Sequence, residues 1–106
     1  MIEVNDLSGP DTLKKGKYIL MFYTDWCPRC PPIISALSSI EEKRRGQFIF
    51  AKIDFDKNPQ ARDFFDISGV PAILSIRDGL VLTVCTGIGD VSVCEEAVSM
   101  LCDERS

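Results

Sequence analysis

Cys27-Pro28-Arg29-Cys30 holds the residues in this 106-residue chain best suited to chemistry. Two thiols at that spacing can close a single small disulfide ring, so the pair can pass between dithiol and disulfide. The reactive form of cysteine is the thiolate. Where a buried strand ends and a helix begins, free backbone N–H groups and the positive helix end favour that form. The apolar run Tyr18–Tyr23 stands directly before the motif, and helically spaced apolar residues follow it.

Other chemistries are narrowed by what the chain lacks. It has five cysteines and no histidine, which removes Cys-His and Ser-His-Asp nucleophile pairs and any zinc site that uses His. Cys85, Cys94 and Cys102 are nine and eight residues apart, so they supply no second closely spaced pair for a four-cysteine zinc site, and no metal is expected. The net charge of −4 gives no general attraction to nucleic acid or anionic lipid. Lys43-Arg44-Arg45, the one basic run, follows Glu41-Glu42 and reads as a solvated helix end. No apolar run approaches the ~18 residues of a membrane span. The start, Met1–Asp6, lacks the basic segment and apolar core of a leader. The expected location is cytoplasmic, where a Cys-x-x-Cys is more often redox-active or metal-binding than structural.

The elements that must position the cysteines follow from periodicity and punctuation. Met1–Val4 reads as a short strand and Thr12–Lys15 as one helical turn. Tyr18–Thr24, apolar almost throughout, suits a central strand buried on both faces. Ile33, Ile34, Leu37 and Ile40 fall at helical spacing, and Gly46 ends that helix. Phe48–Asp54 reads as a strand. Asn58-Pro59 starts a helix whose apolar face is Ala61, Phe64 and Phe65. Gly69-Val70-Pro71 leads into the strand Ala72–Ile76. Asp78-Gly79 is a hairpin signal, and Leu80–Cys85 returns antiparallel. Gly87–Gly89 is a loop, and a last helix starts at Asp90 or at Ser92-x-x-Glu95. The order predicts one α/β domain over 1–106, with a parallel core, an antiparallel hairpin at the edge and helices on both faces.

Order, length and motif together resemble the thioredoxin family across essentially the whole chain. The resemblance is carried by Trp26-Cys27-Pro28-Arg29-Cys30, Ala51–Pro59, Gly69-Val70-Pro71, Asp78-Gly79 and Thr86-Gly87. It implies a thioredoxin fold, with a central mixed sheet of about five strands between helices, and no bound cofactor. It further implies a monomeric protein-disulfide reductase, a dithiol carrier in electron transport and cell redox homeostasis. Its partners would be disulfide-containing proteins and a thioredoxin reductase or similar donor. Cys27 would be the nucleophile and Cys30 the resolving thiol, with Trp26, Pro28, Arg29 and Lys52 tuning them. Trp26, Val70, Pro71 (as the family's cis-proline), Gly87 and Ile88 would bind substrate.

The departures from the family pattern matter as much. Pro28-Arg29 replaces the usual Gly-Pro, an order that resembles glutaredoxins and thiol oxidases. The permanent charge of Arg29 should favour the Cys27 thiolate and make the protein less reducing. The family's buried acid, six residues before the first cysteine, is here Met21, which cannot take a proton. Lys52 keeps its family place and is expected to aid Cys30. Pro31-Pro32 follows the second cysteine and should loosen the first turn of a helix that began at Cys27. Cys94 and Cys102 read as small hydrophobes on the inward stripe of the last helix; eight helical residues span about 12 Å, too far for a bridge. Cys85 is a candidate regulatory thiol at a strand end. The competing readings are a glutathione-dependent glutaredoxin-like protein, a non-catalytic binding module, and a metal carrier using the two thiols.

Overall fold

The computed structural model describes residues 1–4, 15–44, 46–86 and 91–102. In chain order the elements are β1 (Ile2–Val4), β2 (Lys17–Tyr23), α1 (Cys30–Lys43), β3 (Ile49–Asp54), α2 (Pro59–Phe64), β4 (Ala72–Arg77), β5 (Leu80–Cys85) and α3 (Ser92–Cys102). The helical turn expected at 12–15, the Gly87–Gly89 loop and the Asp90 cap lie largely or wholly outside the described residues, as does the inward placement of the Cys102 side chain. No described helix is long and apolar enough to cross a membrane.

The strands form one five-stranded mixed sheet in the order β1-β3-β2-β4-β5. β3 runs parallel to both β1 and β2, whereas β4 is antiparallel to β2 and β5 antiparallel to β4. This corrects the expectation that only the hairpin would be antiparallel. Between β3 and β4 the chain stays at one end of the sheet: Asp54 lies beside Tyr23 and Ala72 beside Phe22, so β4 starts where β2 and β3 finish and runs against them.

Alternation along β2 divides the core into two layers. Ile19 and Met21 face a cluster containing Ile33, Leu37 and Ile40 of α1 and Cys94, Ala97, Val98 and Leu101 of α3. Leu20 and Phe22 face the opposite cluster, with Ala51, Ile53, Ala61, Ile67 and Leu74. Burying one such Leu or Ile side chain contributes about 1.5–3 kcal/mol, so both faces of β2 are tied to helices. Ser75 is buried in β4 and satisfies its hydroxyl by donating to the Ala97 carbonyl of α3 at 2.6 Å. The apolar face predicted for α2 is only partly correct. Ala61 is buried, but Phe64 is 51% exposed and rests its ring edge-to-face on Phe65.

The turns obey their local chemistry. Asp78 and Gly79 both take positive φ, 51° and 83°, the two-residue reversal that an Asp-Gly pair permits at low cost. Asp78 also accepts from the Gly16 N–H and donates its own N–H to the Gly16 carbonyl, each at 2.8 Å. Asn58 stands at the N-cap position of α2 but makes no side-chain cap there; its amide donates to the Asp54 carbonyl at 3.0 Å. The Asp54 carboxylate accepts the N–H groups of Asp56 and Lys57 at 2.9 and 3.0 Å. Asp54→Ala should therefore lower the unfolding free energy by about 1–3 kcal/mol, read by urea titration, because two N–H groups lose a charged acceptor.

Candidate active site

The two cysteines lie where β2 passes into α1. After Tyr23 the chain makes turns at Asp25–Trp26 and Pro28–Arg29, and the helix begins at Cys30, not at Cys27. That start removes the conflict expected from Pro31-Pro32. Both prolines fall in the first turn, where N–H groups have no intrahelical partner and nothing is lost by lacking one. The prolines also thin the ring of N–H donors at this helix end. The Cys30 N–H is directed at the Cys27 carbonyl, 3.3 Å, and the Cys27 N–H at the Thr24 carbonyl, 3.4 Å.

Both thiols are free and nearly covered, Cys27 at 6% and Cys30 at 1% exposure, and their side chains are hydrogen-bonded to each other. Burial is the first cause that pushes the Cys30 thiol up, to about 12. The hydrogen bond and charge of Cys27 add to it, and a backbone hydrogen bond with Thr24 opposes it. The sign gives a stability prediction. Native Cys30 keeps its proton where the unfolded thiol, ordinary value 9.0, loses it. The stabilisation is full below about pH 9 and is lost as pH rises toward 12. The urea midpoint should fall between pH 8 and pH 10, and fall less in Cys30→Ala.

Around the pair, Trp26 is 68% exposed, and its indole Nε1 donates to Asp56 Oδ2 at 2.8 Å. Pro28 and Arg29 are exposed, Arg29 at the N-cap of α1. Val70 is half-buried against both core clusters, and the Val70–Pro71 peptide bond is cis. Gly87 and Ile88 lie outside the described residues. Beneath the pair, Met21 is fully buried in the same cluster as Cys27 and Cys30. Lys52 is the register neighbour of Met21, but its ammonium stands 5.1 Å from the Tyr23 ring centroid and 3.8 Å from Glu3 Oε1. The groups that shift Cys30 do not include Lys52. Sequence reasoning missed this Glu3–Tyr23–Lys52 arrangement and the Trp26–Asp56 bond. The Tyr23 hydroxyl donates to Glu3 Oε2 at 2.7 Å, and burial followed by that carboxylate holds the phenol above its ordinary value. Only the pairing of β1, β3 and β2 brings these three residues together. Asp56 carried a signal of sorts, since it follows a strand that ends beside β2.

The chain matches the Thioredoxin family model over residues 5–98. It is similar to the thioredoxin of Listeria monocytogenes, 25% identical over 97 residues, which cover 92% of this chain and 94% of that protein. It is 31% identical over 80 residues to a thioredoxin of Mycobacterium tuberculosis, covering 74% and 69%. It is also 32% identical over 80 residues to the bifunctional thioredoxin reductase/thioredoxin of Mycobacterium leprae, covering 74% of this chain and 18% of that protein. Among solved structures, one chain superposes with a TM-score of 0.82 at 18% identity, covering 94% of both chains. It comes from work on the thiol-resolving mechanism of yeast mitochondrial 1-Cys peroxiredoxin via glutathione/thioredoxin systems.

Proposed function

This chain belongs to the thioredoxin family of thiol–disulfide oxidoreductases, and from that premise we propose that it reduces protein disulfides through a Cys27–Cys30 dithiol. The observation that carries the reading is the contact between two free thiols at the end of the central strand, beside an exposed indole. Cys27 as thiolate attacks one sulfur of the substrate disulfide. A mixed disulfide forms, and the departing substrate thiolate takes up a proton. Cys30 then loses its proton and attacks Cys27 Sγ, which releases the second substrate thiol and closes Cys27–Cys30. One substrate disulfide is reduced and one protein dithiol oxidised. A thioredoxin reductase or similar donor returns the two electrons.

Trp26, Val70 and Pro71 supply the docking surface in this reading, together with Gly87 and Ile88. An extended substrate segment adds to the Val70 backbone as a short strand. Pro28 and Arg29 tune Cys27 in this reading. The protein acts as a monomeric cytoplasmic domain spanning 1–106.

The test is turnover of a protein disulfide with thioredoxin reductase and NADPH, set against turnover with glutathione and glutathione reductase. Dependence on the first supports the proposal, and dependence on glutathione alone replaces it with a glutaredoxin-like role. Absence of turnover with either, with partner binding intact in Cys27→Ser/Cys30→Ser, identifies a binding module. The reduction potential adds a scale: about −270 mV marks a general reductant, and about −180 mV an isomerase-like protein.

A further inference from the structure

A second pair of thiols lies outside this site. Cys85 is the last residue of β5 and Cys94 falls in the first turn of α3, nine residues later. Cys85 is the register partner of Ile73, so its side chain shares the sheet face of Ile73, the face that α3 covers. Cys94 is fully buried on that face, and Cys85 packs against the cluster that contains it. The two thiols differ in access. A cleft of about 260 Å³ between β5 and α3, bordered by Thr83, Glu96, Ser99 and Met100, opens over half-buried Cys85.

We propose that Cys85 and Cys94 form a second dithiol–disulfide couple, in which Cys85 reacts with a small uncharged disulfide entering the cleft and Cys94 closes the ring. Cys85 loses its proton to solvent and attacks one sulfur of the small disulfide. The Cys85–sulfur bond forms, and the first small thiolate leaves and is protonated. Cys94 then loses its proton and attacks Cys85 Sγ, expelling the second small thiol. Two protein thiols are oxidised and one small disulfide becomes two thiols. The Glu96 carboxylate at the cleft sets the ligand class, since it repels anionic disulfides. Burial, then Glu96, also pushes the Cys85 thiol up, and burial pushes Cys94 up to about 11. The couple's link to the core is direct: Cys94 Sγ lies 3.9 Å from the Ile33 carbonyl of α1, in the cluster that holds Cys30.

The test uses the full-length Cys27→Ser/Cys30→Ser protein, so the outcome is independent of protein-disulfide reduction. It is treated with bis(2-hydroxyethyl) disulfide and mapped by mass spectrometry of non-reduced peptides. The expected product is a Cys85–Cys94 cross-link within one chain, preceded by a transient adduct on Cys85. Adding Cys94→Ser should make that adduct persist, and adding Cys85→Ser should protect Cys94. Glutathione disulfide should react at least about tenfold more slowly than the neutral probe. A persistent adduct with Cys94 intact, a bridge to Cys102 or between chains, or oxidation of Cys94 without Cys85 would each overturn the proposal.

Discussion

Cys30→Ser should turn this protein into a covalent trap. With the nucleophile intact and the second sulfur gone, a mixed disulfide between Cys27 and a protein substrate should accumulate, visible as a mass adduct under non-reducing conditions. Turnover should fall on the order of 10³-fold or more, the scale on which loss of a covalent nucleophile acts. Cys27→Ser should lose as much turnover and form no adduct. The asymmetry follows from the site. Cys27 lies outside the helix, next to the exposed Trp26, whereas Cys30 is the first helical residue, 1% exposed, and holds its proton to about 12. A thiol in that state is a poor first attacker. It becomes effective only when the adjacent sulfur of Cys27 is already in a disulfide and attack is intramolecular. If Cys27→Ser accumulates the adduct instead, the roles are reversed.

Met21→Asp should lower the unfolding free energy at pH 7 by about 2–4 kcal/mol, the cost of a carboxylate placed in an apolar cluster without a dedicated partner. Met21 is fully buried, and the nearest cation by register, Lys52, is engaged by Glu3 and the Tyr23 ring. Burial holds the new carboxyl above the ordinary Asp value, so the loss should shrink as pH falls from 7 toward about 4, below which the unfolded chain also carries it protonated. Urea titrations at pH 7 and pH 4 read the difference. In single-turnover experiments the same variant should resolve the mixed disulfide faster, because a proton acceptor now faces the cluster that holds Cys30. Undiminished stability at pH 7 would mean that Lys52 leaves Glu3 and pairs with the new acid.

Much of the architecture was legible because it rests on near neighbours in sequence. The uninterrupted apolar run 18–23 marked a central strand, and Ile33, Leu37 and Ile40 marked the helix that covers it. Asp78-Gly79 specified its own turn, since two positive-φ positions suit few other residues. The cysteine spacing and its place at a strand end pointed to thiol–disulfide chemistry, the general activity of the family the chain matches. Misread features depended on where the chain went next. Phe64 sits at helical spacing with Ala61, yet it is the last residue of α2 and is exposed, while Ala61 and Phe65 pack on the sheet. Pro31 and Pro32 disrupt only a helix that begins at Cys27; with the start at Cys30 they fall in its first turn.

Residue type and local spacing alone give the Cys-x-x-Cys pair, the strand before it, the helix after it and a methionine at position 21. Tertiary structure alone decided the direction of β4, the diversion of Lys52 toward Glu3 and Tyr23, the Ser75–Ala97 bond between sheet and helix, and the shared face of Cys85 and Cys94. Those outcomes join residues far apart in the chain or from separate elements. Sheet order and helix packing bring such residues together, and no local propensity encodes that order.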